Sequence, residues 1–195
     1  MTIQDPTTSD VNGTLTLAFV SSVGGTDNMV RFAPSGSNSI TFTIPQGSTT
    51  APSATVITGT VAGTITLTAS VPGSPDVVTT IVIAPVVPVI SSVVLQQVTG
   101  GLNVVVEGYS NTREVSSGIF TFTVSSGNTL SVANLVVPLT PAYATWFNNI
   151  SSNATGGQFK LTVPFSVTQG SAMAVTKVSV SLSNVQGTSA TVSSQ

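Results

Sequence analysis

Apolar residues recur at every second position along most of this chain, and Thr and Ser fill the positions between them. Leu15, Leu17 and Phe19 alternate with Thr14, Thr16 and Ala18, and Ile40, Phe42 and Ile44 alternate with Ser39, Thr41 and Thr43. A period of two places every apolar side chain on one face of a strand and every hydroxyl on the other. That is the pattern of an antiparallel sheet packed on one side and wet on the other. The same rhythm continues through Val61–Thr68 and Val77–Ile83, then in Leu102, Val104 and Val106, and in Phe120, Phe122 and Val124. It closes with Phe159, Leu161, Val163 and Phe165, followed by Val178, Val180 and Leu182. Gly24-Gly25, Pro34-Ser35-Gly36, Pro45-Gln46-Gly47 and Pro72-Gly73 supply turn chemistry between these segments. Many short strands with turns between them predict an all-β fold of immunoglobulin-like antiparallel β-sandwich type.

The longest apolar stretch, Ile81 to Ile90, contains Pro85 and Pro88 and resumes at Val93-Val94-Leu95. It is too short for a membrane span and is broken by its prolines. It predicts two buried strands flanking a proline joint, and so two tandem domains, residues 10–85 and a larger 86–195. Proline fixes φ, which makes such a joint semi-rigid and extended, and tandem sandwiches on stiff joints are expected to form a rod.

Charge is scarce. Asp, Glu, Lys and Arg make up 5% of residues, against roughly 25% in ordinary globular chains. Surface hydration therefore falls to Thr, Ser, Asn and Gln, and β-branched Thr serves strand formation as well. The four cations, Arg31, Arg113, Lys160 and Lys177, are dispersed, and the net charge of −2 gives no basic patch for nucleic acid. With no Cys and no His, neither a disulfide framework nor a thiolate zinc site is available. Residues Met1 to Pro6 show no basic start followed by an apolar run. A secreted origin would make the chain a fragment or a mature form with an added Met. Composition points to a bacterial protein working outside the cell, secreted or on the cell surface.

Candidate reaction centres are few. Nucleophilic catalysis needs a base beside the nucleophile, most often His, so the serines read as surface cover. Glu107 and Glu114 are the only glutamates. Tyr109-Ser110-Asn111 reads as a tight turn that sets Glu107 across a hairpin from Arg113, a structural ion pair of about 0.2–1 kcal/mol. Asp5, Asp10, Asp27 and Asp76 are far apart in sequence, and a calcium site needs converging oxygens; no metal and no cofactor are expected. Lys160 and Lys177 fall on the polar phase of their strands, which argues against a buried isopeptide crosslink. Asn12-Gly13-Thr14, Asn149-Ile150-Ser151 and Asn153-Ala154-Thr155 match the N-glycosylation pattern, as chance matches in a chain rich in Ser and Thr.

One stretch has a helical period. In residues 140–149, Thr140 is placed to cap, Pro141 suits the first turn, and Tyr143, Trp146 and Phe147 fall on one face. Such a helix reads as a plug at one end of the sandwich. The sharper reading makes Tyr143, Trp146 and Phe147 an aromatic platform for sugar stacking, which requires Tyr143 or Trp146 to be exposed.

Four segments carry a family resemblance: Ser39–Pro45, Thr58–Thr68, Val106–Val115 and Phe159–Phe165. From residue 10 onward the chain resembles the Ser/Thr-rich C-terminal regions of large secreted acidobacterial proteins. The resemblance implies an immunoglobulin-like tail on a surface or secreted protein and brings no functional residue with it. The expectation is a non-catalytic extracellular module: a spacer or stalk, an adhesin segment, or a filament subunit that self-associates through sheet edges. The alternatives are a carbohydrate-binding module that takes a polysaccharide or cell-surface partner around Trp146, and a viral or phage appendage protein.

Overall fold

The computed structural model describes residues 5–195. The chain separates into two compact units, Met1–Ala84 and Pro85–Gln195, each built of antiparallel strands stacked as a sandwich.

The first unit contains β1 (Val11–Ser21), β2 (Arg31–Ala33), β3 (Ser39–Ile44), β4 (Thr55–Ile57), β5 (Gly63–Ser70) and β6 (Val77–Ile83). Four strands form one sheet in the order β3-β1-β5-β6, while β2 and β4 pair alone. The alternation read in the sequence aligns across strands: Leu17 stands opposite Leu67, and Phe19 opposite Ile65. Phe32 of β2 and nearby Val30 pack with Leu17 and Ile65 to form a small core. Asp27 is buried and fastens the loop ahead of β2. Its Oδ1 accepts the Met29 N–H at 2.9 Å and its Oδ2 the Thr60 N–H at 2.6 Å. Gly59 adjoins it at φ +68°, where a side chain would strike the Asp27 carboxylate.

Strand β6 departs from the sequence expectation of a buried strand. It lies at the end of its sheet, and the two-stranded layer opposite is too narrow to cover it. On the inner face, opposite Ile65 and Ala69, Ile81 and Val77 are left open; on the outer face, which no second layer covers, Val78 is 58% exposed and Val82 72%. Periodicity reports which residues share a face; burial depends on whether a second layer lies above that face.

The second unit contains β7 (Val89–Val98), β8 (Gly101–Tyr109), β9 (Ser117–Val124), β10 (Asn134–Pro138), helix α1 (Thr140–Asn148), β11 (Gln158–Ser166), β12 (Val175–Asn184), β13 (Gly187–Thr188) and β14 (Val192–Ser193). One sheet runs β11-β8-β7 and the other β10-β9-β12-β13, with β14 also on β12. Val104, Val106, Phe120, Val178, Val180 and Leu182 are sealed between them. The rings of Phe120 and Phe122 meet Phe165 at centroid distances of 5.2 and 5.0 Å, within the range of tilted and edge-on packing. The stretch beginning at Pro85 is anchored in this unit. The Val86 N–H donates to Asn111 Oδ1 at 2.9 Å, and the Val86 carbonyl accepts from Asn184 Nδ2 at 2.9 Å. Pro88 is fully buried.

Among the described residues, no helix is long and apolar enough to cross a membrane.

Candidate functional site

Helix α1 forms where the sequence placed it, with Pro141 in its first turn, but Leu139 occupies the N-cap position and no side chain caps it. The Thr140 hydroxyl instead donates to the Ser116 carbonyl at 3.3 Å. Tyr143 and Phe147 are buried in the core, where the Tyr143 ring meets Phe159 edge-on at 5.0 Å. The platform of Tyr143, Trp146 and Phe147 therefore does not exist as such. At 100° per residue, Phe147 lies 40° from Tyr143 on one side and Trp146 60° on the other, and the core takes only the first pair. Trp146 remains at the margin, 38% exposed, its indole N–H held by the Gln158 carbonyl at 3.1 Å. The Tyr143 hydroxyl is buried with no hydrogen-bond partner among the described residues, and burial pushes its pKa well up.

Beside Trp146 the outer face of the β11-β8-β7 sheet holds an open groove of about 810 Å³. Tyr109 and Glu107 of β8 alternate onto this face, opposite Gln158 and Lys160 of β11, and Thr162 extends it along the strand. At its β7 border the register slips at Ser91, whose hydroxyl donates to the Glu107 carbonyl at 2.9 Å. Lys160 Nζ lies 2.8 Å from Glu107 Oε1, both side chains largely solvated. The ammonium's hydrogen bond and charge hold the Glu107 carboxyl below its usual range. A carboxylate favoured in this way contributes stability above its ordinary titration range and loses it as pH falls through the lowered value.

The Glu107–Arg113 pair is thus corrected on both sides. Strands β8 and β9 lie in opposite sheets, so the intervening residues form a crossing loop and no hairpin brings the two side chains together. Arg113 turns inward instead and is only 7% exposed. Its Nη2 donates to the Phe147 carbonyl at 2.6 Å and to Ser152 Oγ at 2.6 Å, and its Nη1 to the Gly156 carbonyl at 3.0 Å. The guanidinium also lies 5.2 Å from the Phe147 ring centroid. Ser110, Asn111 and Thr112 are buried around it, and Asn184 Nδ2 reaches Thr112 Oγ1 at 2.9 Å. Sequence reasoning missed this anchor, and it missed Tyr109 and Gln158 as neighbours of Trp146.

Asp27 uses both oxygens on backbone N–H groups, and Asp10 Oδ1 accepts from the Gln46 N–H at 2.8 Å. Among the described residues, no three acidic side chains converge as a metal site would require. Lys160 and Lys177 are both exposed. No protein-family model matches this chain, and no curated protein matches it either.

Proposed function

We propose that the chain is a non-catalytic structural module of a secreted or surface-exposed protein, linked to neighbouring modules through a sheet edge. The observation that carries this reading is β6. Seven residues, Val77–Ile83, end their sheet with no charged side chain and no proline among them. Natural edge strands are usually protected by lysine, proline or a bulge, because their free N–H and C=O groups template pairing with another chain. Here the protection is missing, and apolar side chains are open on both faces, Val78 and Val82 on one and Val77 and Ile81 on the other. The inner face of β6 continues into an uncovered apolar groove of about 750 Å³ lined by Leu15, Phe32, Ile40, Val56, Leu67 and Val77. A strand from a second copy, added beside β6, would pair the free edge and lay alternate side chains over that groove. A hydroxyl-rich surface with 5% charge supports a passive load-bearing role, since such a surface responds little to pH or salt.

The test is light scattering and negative-stain microscopy across a concentration series, with Val78→Lys/Val82→Lys beside wild type. Concentration-dependent assembly in wild type, abolished in the variant at unchanged melting temperature, is expected. A wild-type protein that stays monomeric at the highest concentration overturns the edge-linked reading.

A further inference from the structure

We infer that the groove beside Trp146 binds a neutral polysaccharide chain, a function separate from assembly at β6 and independent of it. An exposed Trp ring on a protein surface presents an apolar face that can take a partner with a flat, hydrogen-rich side, and the carbon-bound hydrogens of a pyranose ring offer one. Trp146 is held for this role, because the Gln158 carbonyl ties down its N–H and its helix is fixed by the burial of Tyr143 and Phe147. Little side-chain freedom is left to lose on binding.

The polar groups match the rest of such a ligand. Glu107 presents carboxylate oxygens and Lys160 an ammonium, 2.8 Å apart on one side of the groove. Adjacent sugar hydroxyls can donate to the first and accept from the second. Tyr109 and Thr162 add further hydroxyls on the same face. Among the described residues, Glu107 and Lys160 are the only charged side chains lining the groove and they neutralise each other, which favours an uncharged ligand over a uronic or sulfated one. The groove is open and follows β11 from Gln158 to Thr162, about 13 Å at strand spacing. An open, elongated floor suits several units within a long chain better than a free monosaccharide.

Trp146 is the only tryptophan, so intrinsic fluorescence reports on this groove alone. The test titrates the whole protein with cellohexaose, xylohexaose and mannohexaose, with oligogalacturonate as the acidic comparator. Binding is measured in parallel by isothermal calorimetry for wild type, Trp146→Ala, Trp146→Phe and Lys160→Ala. A saturable change in Trp emission with at least one neutral hexasaccharide is expected, with oligogalacturonate weaker. Trp146→Ala should bind about tenfold more weakly or worse, and Trp146→Phe should retain part of the affinity. Lys160→Ala, whose side chain is exposed and outside the core, should weaken binding while the protein remains folded by circular dichroism. No emission change with any neutral hexasaccharide, equal affinity in wild type and Trp146→Ala, or preference for the acidic oligomer would overturn the inference.

Discussion

Arg113 offers the sharpest check on how the second unit is held together. Its backbone sits at φ 55°, a left-handed conformation that costs a side-chain-bearing residue about 1–2 kcal/mol. Glycine would avoid that cost, so the guanidinium must return more than the strain removes. It donates to buried oxygens of α1's last turn and the turn beyond it, the Phe147 and Gly156 carbonyls and Ser152 Oγ. Each bond from a charged donor contributes about 1.5–3 kcal/mol, and the sum is an upper bound because such contributions do not add. The cation also faces the carbonyl end of the helix, where the helix dipole favours positive charge. For Arg113→Ala the expected loss is about 4 kcal/mol, the strain being retained while the three acceptors lose their donor.

Arg113→Gly separates the two effects. It loses the same hydrogen bonds but relieves about 1–2 kcal/mol of strain, against about 0.4–1 kcal/mol of added unfolded-state entropy. It should therefore be the more stable of the two by roughly 0.5–1 kcal/mol, the reverse of the order at an ordinary position. Arg113→Lys keeps the charge without the planar fork and should lose about half as much as Ala. Urea and thermal unfolding followed by Trp146 emission report on this unit. A 4 kcal/mol loss in a domain of about a hundred residues lowers the melting temperature by roughly 15 °C or more. If Arg113→Ala melts within about 5 °C of wild type the anchoring role is refuted, and if it proves more stable than Arg113→Gly the backbone strain is refuted.

Two further substitutions probe polar groups that the fold treats in opposite ways. Asp27→Asn should destabilise the first unit by about 2 kcal/mol in far-UV circular dichroism melts. Both carboxylate oxygens accept from backbone N–H groups, and an amide must turn its own donor toward one of them. Tyr143→Phe should stabilise the second unit by about 1 kcal/mol, read as a higher urea midpoint of Trp146 emission. It removes a buried hydroxyl that has no partner among the described residues and keeps the ring contacts with Phe147 and Phe159.

The strand faces were legible in the sequence because period-two alternation follows directly from strand geometry: Phe120, Phe122, Val178 and Val180 face the core as their spacing requires. What the alternation could not convey was the partner of each face. Val77–Ile83 is as apolar as a buried strand, yet Val78 and Val82 fall on the outer face of the sheet and the narrow opposite layer leaves Val77 and Ile81 open. The loop after Tyr109 resembles a hairpin turn in composition, yet it carries the chain from one sheet to the other. Pairing across β8 and β11 joins Glu107 to Lys160, residues far apart in sequence, and local spacing cannot report that register. The groove was half legible. Trp146 stood out as the single Trp on a helical face, whereas Tyr109 and Gln158 become its neighbours only through the strand pairing that brings Gln158 opposite Tyr109.

Charge position carries more information in this chain than charge count. In a chain whose hydration rests on hydroxyls, a charged side chain is seldom needed for solubility, so each one asks for a specific reason. Asp10, Asp27 and Glu114 each accept a backbone N–H, from Gln46, from Met29 and Thr60, and from Val185. Arg113 gathers the end of α1 and the turn beyond it, and Glu107 with Lys160 equips the one groove bordered by Trp146. Such contacts use charge where its hydrogen bonds are strongest, on groups fixed by the fold. The same scarcity explains why β6 lies bare. A chain built with so few ionic residues has little with which to guard an edge, and an unguarded edge in an uncharged sheet is a place where another strand can add.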